Sequence, residues 1–241
     1  MIKRHVPNSL TALNLLLGVV SIILTIQGEE KYAALMIIAA GLMDGLDGRV
    51  ARLLKVSSEF GKELDSLSDL VSFGVAPALL AYIVSLHNLG MLGYVIAGVF
   101  AVCGAIRLAR FNLMNVKGYF LGLPIPAAGC MVSTFVISGL RPHFWLFPMM
   151  VAGLAYLMVS RIRYPDFKKS GARKINRLPI VISVSFFVYM FFSNPQIRIF
   201  IPLATYTLYG IINHFFLLGK ATEMAEAAEA PEVAEAAEKS H

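Results

Sequence analysis

Residues 31–69 read KYAALMIIAAGLMDGLDGRVARLLKVSSEFGKELDSLSD. This stretch begins with an apolar run, continues through a segment rich in aspartates and cations, and then returns to helix-forming residues. Asp44 and Asp47 are three residues apart, and Asp65 and Asp69 are four apart, so each pair lies on one face of a helix. The residues between the pairs are expected to turn the chain back. The stretch therefore predicts a helical hairpin with its carboxylates gathered at one level.

The composition around this hairpin is typical of a membrane protein. Of the 241 residues, 57% are hydrophobic and 15% are charged, and the mean hydropathy is +0.70. Soluble domains carry about 25% charged residues, so this chain lacks the side chains needed to cover a surface exposed to water. We therefore expect the bilayer to be its solvent. Its basic residues then indicate membrane topology and contact with anionic lipid or phosphate, with no nucleic acid as partner.

Eight apolar stretches approach the length of about 20 residues that a helix needs to cross a bilayer. They cover roughly residues 9–27, 31–53, 63–86, 91–114, 123–140, 143–160, 177–194 and 197–219. With both termini placed in the cytoplasm, 18 of the 21 basic residues fall on the inner side, as the positive-inside rule requires. We predict an all-α, polytopic transmembrane bundle of about eight spans with both termini cytoplasmic.

The last 21 residues, 221–241, differ from the rest of the chain. They contain six Glu and one Lys, whereas residues 1–220 carry 20 basic and 9 acidic residues, a net charge of +11. The tail is rich in Ala and Glu, has no apolar face and is interrupted by Pro231. We predict one membrane-embedded domain over residues 1–220 and a disordered cytoplasmic tail after it. A tail that binds a partner is the alternative.

Four carboxylates at one level repel one another and lose hydration unless a cation lies among them. Oxygen ligands favour Mg²⁺ or Mn²⁺ over zinc, and two such ions can clamp a reacting phosphoryl group. Two alternatives to a metal-dependent active site stay open. The aspartates could be interfacial charges at helix ends, or the acidic gate of a divalent-metal transporter. Transport acids are expected near mid-bilayer in broken helices, whereas these aspartates flank a basic loop.

Residues 44–69 match the pattern D-x2-D-G-x2-A-R-x8-G-x3-D-x3-D at every fixed position. The chain thereby resembles the CDP-alcohol phosphotransferase family. The resemblance implies a CDP-diacylglycerol-type lipid as donor, two Mg²⁺ or Mn²⁺ ions, a homodimer and a catalytic core of six helices, which leaves two of the predicted spans outside the core. The implied metal ligands are Asp44, Asp47, Asp65 and Asp69, and Asp69 is also the implied catalytic base.

The same resemblance assigns a binding site for the CDP-lipid. Its implied residues are Pro7, Asn8, Gly48, Ala51, Arg52, Ser58 and Gly61. Glycine and alanine let a ligand approach a helix backbone closely, which fits these roles. Arg52 lies just over one turn past Asp47, where a guanidinium suits a phosphate. A cation that anchors the topology is the structural alternative for Arg52.

Three further stretches resemble the branch of the family that uses serine. They are SDLVSFGVAPALL at 68–80, RLARFN at 107–112 and GLPIPAAG at 122–129. They imply that a phosphatidyl group passes to L-serine. We expect a direct displacement, because the motif offers no Ser-His or Cys-His nucleophile pair. The distribution of basic residues places this reaction on the cytoplasmic face of a prokaryotic cell membrane. A transferase with glycerol 3-phosphate or inositol phosphate as acceptor is the alternative within the family.

The candidate residues for serine or phosphate lie at the end of the fourth predicted span. They are Arg107, Arg110 and Asn112. The two arginines are three residues apart and therefore share a helix face, and a guanidinium is suited to hold a serine carboxylate or a lipid phosphate. Topology anchors and a helix cap are the structural alternatives.

Overall fold

The computed structural model describes residues 2–54, 58–113, 119–140, 144–165, 184–185, 188, 198 and 200–214. Within these residues the chain is almost entirely helical, as predicted. The helices are α1 (Ile2–Ile26), α2 (Glu30–Leu54), α3 (Glu59–Asp69), α4 (Ala76–Val84), α5 (Met91–Leu113), α6 (Ile125–Ile137) and α7 (Leu146–Val159). A π-helical segment covers Leu70–Val75, a 3-10 turn covers Leu86–Leu89, and a further helix covers residues 201–214.

The helices α1 and α2 form an antiparallel pair with the most extensive contact between any two described elements. α1 ends because Gly28 adopts φ +82°, a left-handed conformation that favours glycine. Ala33, Ala34 and Ile37 on α2 are fully buried, and the small alanines allow the two helices to approach closely. α1 consequently runs alongside the part of α2 that carries the first aspartate pair.

Between the aspartate pairs, α2 ends within one residue of the predicted span at 31–53, whereas α3 starts earlier than predicted. α2 continues past Gly48 to Leu54, and α3 begins at Glu59. Ser58 caps α3: its backbone is extended, and its Oγ accepts a hydrogen bond of 3.0 Å from the Gly61 N–H. Such a cap stabilises a helix start by about 1 kcal/mol. It therefore places the start of α3 four residues earlier than the predicted span at 63–86.

A π-helical segment connects α3 to α4 without interrupting the helical rod. Phe73 in this segment is fully buried, and its packing against neighbouring helices stabilises the segment. α6 lies directly against it, since a Cβ on Gly129 would lie only 2.8 Å from the Phe73 carbonyl oxygen. This close packing holds the end of α3, and hence Asp69, against the core.

Three described helices are long and apolar enough to cross a membrane: Pro7–Ile26, Glu59–Val84 and Met91–Leu113. α6 and α7 are also apolar but have 13 and 14 residues. They are separate helices, as predicted from the stretches at 123–140 and 143–160. Within the predicted span at 197–219, the structure contains a helix over residues 201–214. The predicted span at 177–194 lies almost entirely outside the described residues. The predicted tail, 221–241, lies entirely outside them.

A two-stranded antiparallel ribbon departs from the all-helical prediction. It is formed by β1 (Tyr119–Leu121) and β2 (Arg163–Pro165), with Phe120 opposite Tyr164. Gly122 follows β1 with φ +75°, and a Cβ there would overlap the Met158 carbonyl oxygen, so only glycine fits. The ribbon follows α5 and α7 in the chain and ties the ends of these two helices together.

Candidate active site

The structure brings the two aspartate pairs together, as the spacing predicted. One carboxylate oxygen from each of Asp44, Asp47 and Asp65 lies within 4.8 Å of the others. Asp69 is outside this group of three and lies one turn further along α3, close enough to Asp44 and Asp65 to be repelled by both. Asp47 and Asp69 are buried, with 6% and 7% of their surface exposed. The acidic site thus consists of a triad and one separate carboxylate.

Two side chains of α1 hold the buried aspartates. The Thr11 hydroxyl donates to Asp47 Oδ2 at 2.9 Å, and the Asn14 Nδ2 donates to Asp69 Oδ1 at 3.1 Å. Sequence reasoning missed both residues. The signal that could have found them is a polar stripe on one face of an apolar helix, in which Asn8, Thr11 and Asn14 recur every three residues.

The triad fits a divalent cation. Asp65 Oδ1 is buried and has no hydrogen-bond partner among the residues that the structure describes, and a buried carboxylate oxygen left in this way costs free energy unless a cation compensates it. All donors in the triad are hard oxygens, which suit Mg²⁺ or Mn²⁺. Asp44, Asp47 and Asp65 could therefore hold such an ion.

A cavity of about 440 Å³ opens beside the triad. Its lining combines the start of α1, the second half of α2 and the start of α3. The lining residues are Pro7, Asn8, Thr11, Asp47, Gly48, Ala51, Ser58, Glu59, Gly61, Lys62 and Asp65. All residues predicted for the CDP-lipid line this cavity except Arg52. Glu59 and Lys62 were not predicted, and their place on the first turn of α3 explains their presence.

The two glycines of the cavity have different neighbours. A Cβ on Gly61 would lie 3.0 Å from both Asn8 Oδ1 and Ser58 Oγ, so protein packing alone disfavours a side chain there. A Cβ on Gly48 would meet only the Arg52 guanidinium, at 3.5 Å. Packing within the protein therefore does not require glycine at 48, and what its missing Cβ provides is space in the cavity. The same distance places the Arg52 side chain at the cavity's edge.

The three residues predicted for the acceptor have different surroundings. Arg107 is buried, its Nε has no hydrogen-bond partner in the described part of the chain, and its charge lies close enough to Asp69 and Asp44 to interact with both. Arg110 donates from Nη1 to the Val159 carbonyl oxygen at 2.8 Å, at the end of α7.

The third of these residues, Asn112, joins the end of α5 to α3. Its Nδ2 donates to Ser66 Oγ at 3.0 Å, one residue after Asp65. The structure thus brings Arg107 and Asn112 towards the aspartates, while Arg110 already has a structural partner.

Comparison with known proteins is consistent with this geometry. A sequence model of the family described as CDP-alcohol phosphatidyltransferase matches residues 4–158. This range contains the triad, Asp69, every residue that lines the cavity and the acceptor candidates on α5. The further helix over 201–214 lies beyond it.

Three relatives carry the name CDP-diacylglycerol–serine O-phosphatidyltransferase. One from Helicobacter pylori is 40% identical over 223 residues, which cover 89% of this chain and 92% of the relative. One from Bacillus subtilis is 39% identical over 173 residues, with 71% and 96% covered. One from Methanocaldococcus jannaschii is 35% identical over 209 residues, with 87% and 94% covered. This chain belongs to the CDP-alcohol phosphatidyltransferase family.

Proposed function

We propose that this chain transfers a phosphatidyl-type group from a CDP-diacylglycerol-type lipid to L-serine and releases CMP. The observation that carries the proposal is the junction of the triad with the cavity, because Asp47 and Asp65 belong to both. A CDP group bound in the cavity would thus have its diphosphate beside the carboxylates. The names of the three relatives support serine as the acceptor.

The carboxylates would hold the metal of this reaction. Asp44, Asp47 and Asp65 are the ligands that the triad supports, with Asp69 as the fourth proposed ligand and Mg²⁺ or Mn²⁺, two ions in all, as the proposed cofactor. Bound there, such ions neutralise charge on the diphosphate and on the departing CMP. The buried Asp65 Oδ1, which has no hydrogen-bond partner within the described part of the chain, supports this assignment.

Asp69 is the proposed base. It takes the proton from the serine hydroxyl, and the hydroxyl oxygen attacks the phosphorus that bears the lipid. The new bond joins this oxygen to phosphorus, the bond from phosphorus to the CMP oxygen breaks, and CMP leaves with the electron pair. The position of Asp69 outside the triad supports the role, because a ligand engaged by metal at both oxygens could not accept the proton.

The acceptor is proposed to bind between α3 and α5. Arg107 is the strongest candidate for the serine carboxylate, since it is buried, lies close to Asp69 and has an Nε without a partner among the described residues. Arg110 has further N–H donors beyond the one that Val159 accepts, and Asn112 borders the same space through Ser66. We therefore keep all three as proposed acceptor residues, with Arg107 first.

The proposed setting is the cell membrane of a prokaryote, with eight spans, both termini in the cytoplasm and the carboxylates facing the cytoplasm. The distribution of 18 basic residues inside against 3 outside supports this orientation. A homodimer is proposed from the family resemblance.

Release of CMP from CDP-diacylglycerol, measured with purified protein and a panel of alcohols, tests the proposal. We expect release with L-serine and none above background with glycerol 3-phosphate or inositol phosphate. A matched pair of variants locates the chemistry: Asp69→Asn should lose turnover by at least about 100-fold, whereas Glu63→Gln, an exposed acid on the same helix, should keep it. Turnover with glycerol 3-phosphate but not with serine would overturn the acceptor assignment.

A further inference from the structure

We infer that Asn14 of α1 is a positioning residue for the reaction, whose side-chain amide holds one oxygen of Asp69 and leaves the other for the acceptor hydroxyl. The inference rests on the proposed role of Asp69 as base. Asn14 lies outside the aspartate motif and outside the lining of the cavity. Since Asn14 is also fully buried, we assign it an action through Asp69 and not a contact with the substrate.

The contact between Asn14 and Asp69 is direct and shielded from water. Asn14 is fully buried, Asp69 is 7% exposed, and the distance from Nδ2 to Oδ1 is 3.1 Å. A donor on Oδ1 restricts rotation of the carboxylate. A base must lie within hydrogen-bond reach of the proton that it removes, so a carboxylate that rotates freely spends less time in the productive orientation.

The backbone around Asn14 is fixed against the segment that follows Asp69. Ser72 donates from Oγ to the Asn14 carbonyl oxygen at 2.9 Å. One turn further along α1, a Cβ on Gly18 would lie 2.9 Å from Ser72 Cα, so the two backbones approach closely. The distance between α1 and the π-helical segment is thus fixed by contacts that involve the backbone of both. This backbone contact also fixes the position of the Asn14 amide relative to Asp69.

Stability alone does not explain an asparagine at this position. Its Oδ1 is buried and has no hydrogen-bond partner among the residues that the structure describes. A buried polar atom without a partner costs about 1–3 kcal/mol. Leucine has the same branched shape with a larger volume, and it would avoid this cost. The buried Oδ1 of Asn14 therefore lowers the free energy of unfolding of the protein, while the amide N–H of the same side chain donates a hydrogen bond to Asp69.

Asn14→Leu in the full chain, reconstituted in lipid nanodiscs, tests this inference. We expect kcat for CMP release to fall by about 10- to 100-fold, the range for residues that orient a site through another residue. The KM for serine and the KM for CDP-diacylglycerol should stay unchanged. Ser21→Ala is the matched control, because it removes a buried hydrogen bond of the same helix, to the Ala33 carbonyl oxygen, without touching Asp69 or its support.

Three results would overturn the inference. They are a folded Asn14→Leu protein with the kcat of the unsubstituted chain, an equal loss of kcat in Ser21→Ala, and a rise in the KM for serine that accounts for the whole loss of activity. Should Asn14→Leu fail to fold, Asn14→Ala removes the same amide without adding bulk and is judged by the same measurements. Asp69→Asn separates the two proposals. Full turnover in that variant would refute the base, whereas an inactive Asp69→Asn beside an active Asn14→Leu would refute only the inference about Asn14.

Discussion

The Thr11 hydroxyl lies 2.9 Å from Asp47 Oδ2, so α1 supports a carboxylate of α2 across the interface between the two helices. The same hydroxyl lies 3.1 Å from the Pro7 carbonyl oxygen. Thr11 also lines the cavity, as do Pro7 and Asp47. One side chain therefore connects the proposed metal site to the proposed CDP site, and the orientation of Asp47 depends on a residue outside the motif.

Thr11→Val should weaken metal binding. The substitution keeps the shape of the side chain but leaves Asp47 without this donor, and the loss of such a supporting hydrogen bond typically costs about 10- to 100-fold in metal affinity. Titration with Mn²⁺, followed by electron paramagnetic resonance, measures the change directly. Thr11→Ser restores the hydroxyl and should restore the affinity. Unchanged Mn²⁺ affinity in Thr11→Val would contradict the assigned support.

Gly48→Ala should raise the KM for the CDP-lipid by about tenfold or more, because the new methyl group occupies space in the cavity where small displacements are costly. Gly45→Ala is the matched control: it lies on the same helix, and a Cβ there would meet nothing within 4 Å. Both changes favour helix by about 1 kcal/mol, so neither should lower the unfolding temperature. Equal KM values in the two variants would show that the nucleotide does not approach Gly48.

Arg107→Gln should raise the KM for serine by about 10- to 100-fold, the loss expected for a hydrogen bond between charged groups. The KM for CDP-lipid should change less. Arg110→Gln should affect serine less and instead lower the unfolding temperature, because Arg110 donates to Val159 at the end of α7. Steady-state kinetics and thermal unfolding of both variants distinguish these roles. A larger rise in serine KM for Arg110→Gln would reverse the assignment.

Removal of divalent metal by EDTA should stop CMP release, since the triad would then lack the cation that balances its charges. Mg²⁺ or Mn²⁺ added in excess should restore the activity, and Zn²⁺ should not, because the triad consists of carboxylate oxygens alone. Thermal unfolding measured in parallel serves as a control for loss of the fold. Full turnover in EDTA would contradict a metal at this site.

Local patterns were enough to predict the helical class, the helical hairpin and the gathering of three aspartates. A spacing of three or four residues places side chains on one helix face whatever the rest of the fold does, and Asp44 with Asp47 therefore meets Asp65 once the chain reverses. The start of α3 was predicted less well. The Ser58 cap depends on a single side chain, and the hydropathy of a long window does not register it.

The composition and the motif between Asp44 and Asp69 were sufficient to predict a membrane-embedded helical protein with an acidic site. The length of an apolar span and the spacing of residues on a helix face can both be read from short stretches of sequence. The tertiary structure separated Asp69 from the triad and assigned Arg110 to the end of α7. It also brought Thr11 and Asn14 of α1 onto the aspartates. These contacts join residues far apart in the chain, and such contacts depend on how helices pack, which no local pattern specifies.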